Sequence, residues 1–398
     1  MRELTTLEEE ALRFLQGKGI TCALFHATET GLQKSILDAT RQLRKLLLDF
    51  RIHDYGNQAQ GQENKVILQG KIASHDQILQ TKVSLYRPIT KQGDPRIWPS
   101  GLNNHATQGD VFAIFVIGKE CCFANLTRMA KQIEKLHDGS SLICMLLNNN
   151  PPAANPAAEE LRRNLEQIAS KGPIKAVCKG TTAIGRSIET ALGIKINSSQ
   201  APDYKGIEIK SFRGSIHDDT RGNRLNLFAC VPDWDISALK SSHDILRHFG
   251  YQRNNDQKLY CTVAIGKANS QGLFLSLDEA ENLLREKSRD KSIPEVAAWR
   301  IERLEQKLCS KHRETFWIKA ESWTINGSEC FRIKSITHTK GPNVFQLERL
   351  LQRKEISVDH LIKQDKNGKV MEKGPLFKIN KQALPDLFLG KPRVYNLD

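Results

Sequence analysis

Asn148, Asn149 and Asn150 lead into Pro151 and Pro152, and Pro156 follows after Ala153, Ala154 and Asn155. Each proline removes a backbone donor and pushes the residue before it away from the helical region, so this run continues neither a helix nor a paired strand. It divides the 398-residue chain into residues 1–147 and 157–398, with 148–156 as a linker. Each part is long enough to bury a core of its own.

Residues 1–147 read as an α+β domain. Leu4, Leu7, Ala11, Leu12 and Leu15 give a helical stripe over 2–17, and Ile36, Ala39, Leu43, Leu46, Leu47 and Phe50 give another over 31–50. Strands are expected at 21–25, 65–73 and 79–86. Val111 to Ile117 reads as a buried strand that turns at Gly118 into Cys121–Ala124. A helix over 127–137 and a strand over 141–147 complete the domain. Between its strands, Tyr86, Arg87 and Pro88 and then Lys91 to Trp98 form a basic loop with aromatics. Such a loop suits a nucleic-acid groove, with Arg87, Lys91 and Arg96 on phosphates or base edges. The plain alternative is a surface loop whose Trp98 tucks into the domain.

Chemistry concentrates in residues 202–211. Ile207, Glu208, Ile209 and Lys210 alternate apolar and charged, the period of a strand with one buried face. Ile207 and Ile209 enter the core. Glu208 and Lys210 share the other face, and Asp203 lies across the short bend Tyr204-Lys205-Gly206. Two acids and a lysine at one strand end can hold a divalent metal and activate water against a phosphodiester. Taken alone, Glu-x-Lys on a strand is commonly just a solvated face. Upstream, however, residues 185–192 read as a helix ended by Gly193, with Ile184, Ile188, Ala191 and Leu192 on its buried side, and it brings a further carboxylate, Glu189.

The run Gly180, Gly185, Glu189, Leu192, Gly193 and Ile194, then Asn197, then Pro202, Asp203, Gly206, Glu208, Lys210, Ser211 and Arg213 resembles the MvaI/BcnI group of restriction endonucleases. These are relatives of the mismatch-repair nickase MutH within the PD-(D/E)XK nuclease superfamily. Leu225 to Phe228 and Pro232 to Trp234 share the likeness, which spans roughly the last three-fifths of the chain. The resemblance implies an α/β (α+β) fold, a mixed sheet flanked by helices, with catalytic and recognition lobes in 157–398 and the N-terminal α+β domain added. It places Glu189, Asp203, Glu208 and Lys210 as catalytic residues. Asp203 and Glu208 are then the Mg²⁺ ligands, Glu189 acts through a water, and Lys210 orients the attacking water. It further implies a monomer acting on double-stranded DNA as a type II enzyme, leaving 5′-phosphates, beside a cognate DNA methyltransferase. A MutH-like strand nickase shares every one of these residues. A DNA-binding, partner-dependent module with a regulated nuclease site is the alternative of another class.

Beyond Lys210, Arg213, His217, Arg221 and Arg224 surround a polar loop, and Arg213 and Arg224 are taken as DNA contacts. The rest reads as a strand over 225–231, a helix over 237–249, strands near 258–265 and 272–276, and charged helices over 278–289 and 294–309. Strands over 315–320 and 330–336, a helix over 345–353, a turn at 365–369 and a strand over 374–379 follow. The formal charge of +14 and pI near 9.3 suit a polyanionic partner. No apolar run approaches the roughly 20 residues of a membrane span, and mean hydropathy is −0.45. The first ten residues lack a signal peptide's apolar stretch. Nine scattered cysteines without a Cys-x-x-Cys point to reduced thiols in a cytoplasmic protein.

Overall fold

The computed structural model describes residues 2–74, 76–90, 92–147, 155–180, 182–194, 202–214, 224–253, 256–365, 368–372 and 374–397. Two compact units result, Met1–Ala153 and Ala154–Asp398, and their boundary falls inside the proline-rich run.

The first unit runs α1 (Thr6–Gly17), β1 (Cys22–His26), α2 (Glu29–Lys34), β2 (Leu37–Asp38), α3 (Arg41–Asp49), β3 (Val66–Ala73), β4 (Ile78–Tyr86) and β5 (Arg96–Pro99). It continues through β6 (Val111–Ile117), β7 (Glu120–Asn125), α4 (Leu126–Ala130), α5 (Ile133–His137) and α6 (Leu142–Leu147). One mixed seven-stranded sheet has the order β1-β6-β7-β3-β4-β5-β2. The expected 31–50 helix is broken: Ser35 adopts φ 54° as the cap of α2, and Leu37–Asp38 pairs with β5 before Thr40 caps α3. The 127–137 helix is likewise two short ones. The strand expected over 141–147 is a helix, since a short apolar run fits either element and here Ile143 and Cys144 pack against the core of this unit.

The second unit begins with α7 (Pro156–Ser170), β8 (Ile174–Lys175), α8 (Ala183–Ala191), β9 (Glu208–Arg213), β10 (Arg224–Ala229), α9 (Ser242–Phe249), β11 (Tyr251–Arg253) and β12 (Asp256–Val263). Next come β13 (Leu273–Asp278), β14 (Leu283–Ser288), β15 (Glu295–Arg300), α10 (Ile301–His312), β16 (Glu314–Ile325) and β17 (Ser328–Pro342). Last are α11 (Phe345–Gln352), β18 (Ile356–Gln364), β19 (Val370–Glu372), β20 (Leu376–Asn380) and β21 (Phe388–Asn396). A mixed sheet β21-β17-β16-β9, joined by β8, carries the residues of interest at its β9 edge. Ile207, Ile209, Phe316 and Ile318 pack on Leu161 and Leu165 of α7 and on Ile184 and Ile188 of α8. Trp317 joins a second core with Leu304 and Leu308 of α10. The antiparallel sheet β10-β20-β18-β12-β11, with β19, and the hairpin sheet β13-β14-β15 complete the unit.

Two helices expected here are not helices where they were placed. Over 278–289 the chain makes the end of β13, a turn with Asn282 at φ 57°, and β14. Over 294–309 it makes β15 and then enters α10. The helix expected over 237–249 starts only at Ser242, capped by Ser241.

Asn155 caps α7 by accepting from the Ala157 N–H, and its amide donates to Glu314 of β16. A fragment starting at Ala154 keeps both bonds. It is expected to fold alone with one cooperative melting transition, and Asn155→Ala within it to cost about 1 kcal/mol. A non-cooperative melt, followed by circular dichroism, would count against the division.

Candidate active site

A two-residue turn builds the site. Tyr204 and Ile207 exchange both backbone hydrogen bonds, at 2.9 and 2.8 Å, while Lys205 and Gly206 sit at φ 47° and 85°. Positive φ at both central positions is the hairpin turn whose twist matches its flanks. Glu160 of α7 anchors it, accepting from the Tyr204 hydroxyl at 2.8 Å and the Lys205 ammonium at 2.6 Å. The turn folds Asp203 back over β9, where its Oδ2 accepts from the Ile209 N–H at 2.9 Å. Ile207 and Ile209 are buried in the core, as the alternation requires.

Glu208 is also buried, at 1% exposure, because its face of β9 meets α10 rather than solvent. Lys210 Nζ lies 2.6 Å from Oε1 of Glu208. Lys311 Nζ, from the last turn of α10, lies 2.9 Å from Oε2. This second contact is an ion pair on a buried oxygen. Burial raises the Glu208 carboxyl above its ordinary value; Lys210 opposes that rise, Asp203 adds to it and Lys311 opposes it.

Glu189 arrives from α8. The helix closes on Gly193 at φ 74°, with Gly193 N–H donating to Thr190 and Ile194 N–H to Glu189, a Schellman ending. Burial raises the Glu189 carboxyl, Asp203 and Glu208 raise it further, and Lys210 pulls it down. Asp203, Glu208 and Lys210 thus act on Glu189 electrostatically, and Ile184 and Ile188 of α8 share a core with Ile207 and Ile209.

Sequence reasoning missed the α10 side of this site. His312 is buried between Leu227, whose carbonyl accepts from Nε2 at 2.8 Å, and Thr315, whose hydroxyl lies 3.0 Å from Nδ1. Its ring stacks on Trp317 with centroids 5.3 Å apart. Burial pushes its pKa down to about 3 against the Leu227 carbonyl, with Lys210 and Lys311 lowering it further. The folded ring is therefore neutral, while the unfolded chain takes a proton below about pH 6.5. Stability from His312 is full above that pH. It falls by about 1.4 kcal/mol per unit as pH drops toward 3. Urea unfolding should show the stability gap between the wild type and His312→Gln shrinking over that window; a constant gap would mean the ring is not held neutral.

The DNA-contact candidates have partners within their own units. Arg87 donates to the carbonyls of Gly93 at 2.8 Å and Gln58 at 3.1 Å, stapling its own loop. Arg96 has Asp38 at 4.0 Å and a buried Nε without a hydrogen bond. Trp98 is half-buried. Arg213 pairs with Glu329 at 2.8 Å, and Arg224 pairs with Asp359 at 2.8 Å and donates to Thr262. Lys91, Asn197, His217 and Arg221 lie outside the described residues.

As donors the cluster offers hard carboxylate oxygens, including the buried Oε2 of Glu208. Among the described residues no group of three or more His, Cys, Asp or Glu is arranged to hold a metal. Mg²⁺ suits such a donor set, since it binds through one or two carboxylates and keeps several waters. None of the nine cysteines is in a disulfide, and no described helix is long and apolar enough to cross a membrane.

The family model described as "MvaI/BcnI restriction endonuclease family" matches residues 162–388, more than half of the chain. No curated protein matches. Among solved structures, one titled "Restriction endonuclease MvaI-cognate DNA substrate complex" is 23% identical with a TM-score of 0.53, covering 62% of this chain and 100% of its own. Another, "Restriction endonuclease MvaI in the absence of DNA", is 22% identical with a TM-score of 0.37, covering 61% and 99%. At these identities the first likeness establishes the fold.

Proposed function

The chain belongs to the MvaI/BcnI restriction endonuclease family, and from that premise we propose that it hydrolyses double-stranded DNA at the Glu189, Asp203, Glu208 and Lys210 cluster, with Mg²⁺. It is a type II restriction endonuclease, a sequence-specific DNA endonuclease by family. The observation that carries the assignment to this cluster is the placement of Asp203 and buried Glu208 beside Lys210 at the edge of the mixed sheet.

Asp203 and Glu208 are the residues that would hold Mg²⁺. Bound there, it would supply a lowered pKa for a coordinated water and offset charge on the phosphoryl oxygens. Glu189 holds a water from its helix. Lys210 orients the water that attacks phosphorus and donates to the developing negative charge. As the water oxygen bonds to phosphorus and its proton passes to solvent, the P–O3′ bond breaks and O3′ takes a proton from solvent, leaving a 3′-hydroxyl and a 5′-phosphate. The backbone bond from Ile209 keeps Asp203 over the strand end, and the α10 contact keeps Glu208 out of bulk water.

The N-terminal unit is assigned a supporting role on DNA through the Arg87–Arg96 loop, and Arg213 and Arg224 are assigned DNA contacts in the second unit. The enzyme acts as a cytoplasmic monomer, with a cognate methyltransferase protecting host DNA. A monomer with one cluster cuts one strand per engagement, so a supercoiled plasmid in Mg²⁺ should pass through an open circle before becoming linear. Open circles that never become linear would favour the strand nickase. Linear product without open circles, at a rate rising as the square of enzyme concentration, would indicate a dimer.

A further inference from the structure

Among the described residues Glu208 has two ammonium partners, and the proposed reaction uses only one. Lys210 is its neighbour on β9. Lys311 comes from α10, where nothing in the reaction requires it, and its side chain is only 20% exposed. Its position is not casual. The next residue, His312, is pinned on both ring nitrogens and stacked on Trp317, and Trp317 itself donates to Thr339 at 2.9 Å. The last turn of α10 is therefore fixed against β16, the strand that pairs with β9 at Thr315–Glu208 and Trp317–Lys210. A cation at a helix C-terminus is also favoured by the helix dipole.

We propose that Lys311 is a positioning residue of the nuclease site: its ammonium holds Oε2 of Glu208 as an exchangeable counter-charge and competes with a divalent cation for that oxygen. Two features carry this. The Lys311 ammonium sits 2.9 Å from Oε2 as an ion pair, so it and a bound cation would compete for the same oxygen. The carboxylate is fully buried, so it would be costly to leave with fewer counter-charges. Lys311 meets that need from a rigid helix end. Lys210 remains on Oε1, free to act on water. A divalent ion binding Oε2 must displace Lys311 or share the oxygen with it, and either weakens its binding. The inference rests on the assignment of Glu208 as a metal ligand.

The test is equilibrium calcium binding by titration calorimetry at pH 8, without DNA, on the full chain. Lys311→Met should bind calcium at least tenfold more tightly than the wild type, whereas Lys311→Arg, which keeps the charge, should stay within threefold. Lys311→Gln serves should the methionine variant fail to fold. With Mg²⁺ and DNA, the neutral variant should reach half-maximal cleavage at lower Mg²⁺ but with a lower kcat, because Glu208 has lost one anchor. A merely structural role for Lys311 moves melting temperature and does not tighten calcium binding. Unchanged or weaker calcium binding in the neutral variants would overturn the inference. Glu208→Gln separates the two levels. If it binds calcium as the wild type does, the assignment of Glu208 fails; if it loses calcium while Lys311→Met behaves as the wild type, only the role of Lys311 fails.

Discussion

Lys210→Ala is expected to lower the rate of DNA cleavage about a thousandfold or more, equivalent to roughly 4 kcal/mol of transition-state stabilisation, with specific binding largely kept. The side chain is removed from a strand edge where it is partly exposed, and Glu208 keeps Lys311 as a counter-charge. Folding therefore has little reason to fail. Asp203→Asn should lose as much, and it is a cleaner change than alanine, since an amide oxygen still accepts from the Ile209 N–H. Glu208→Gln is harsher on the fold, because it leaves two ammonium groups beside an uncharged buried side chain. Single-turnover cleavage read beside a gel-shift titration separates the effects. A Lys210→Ala protein that cuts at the wild-type rate would remove Lys210 from the chemistry.

The second large effect is that of the cation. In EDTA the protein should cut no DNA, and adding Mg²⁺ should restore cleavage fully. Calcium should support specific DNA binding without cutting, since it satisfies carboxylates at longer, looser distances than the reaction tolerates. The physical basis is carboxylate crowding: Asp203 raises the carboxyls of both Glu189 and Glu208, and Glu208 raises that of Glu189, which a cation would relieve. Cleavage that persists in EDTA at the Mg²⁺ rate would contradict a metal-dependent site built on these carboxylates.

What the sequence disclosed was local. Asp203, Glu208 and Lys210 are joined by one turn and one strand, so the period of Ile207 and Ile209 and the glycine at 206 are enough to bring them together. The glycine-ended helix that carries Glu189 was legible from its own apolar period, and the boundary between the two compact units, at Ala153 and Ala154, falls among the prolines of 148–156. Long-range partners were not legible. Lys311 meets Glu208 only because α10 docks against the sheet, and no spacing announces that. Residues 283–288 carry Arg285, Glu286 and Lys287 and look like a solvated helix. In the fold Glu286 is buried and bonded at 3.0 Å to His360 of β18, while Arg285 pairs with Asp278 and Lys287 with Glu295. These partners turn a charged run into a central strand. Arg224 shows the same limit: its place beside Asp359 depends on strand pairing between distant segments.

The measurement that bears most directly on the account is sequencing of the ends made on a supercoiled plasmid by the wild-type protein and by Lys210→Ala, each with Mg²⁺. The wild type is expected to make cuts at one short recurring sequence, with every new end a ligatable 5′-phosphate, and the variant's ends to match a no-enzyme control. Cuts scattered without sequence preference, or the same set of ends from both proteins, would contradict that expectation.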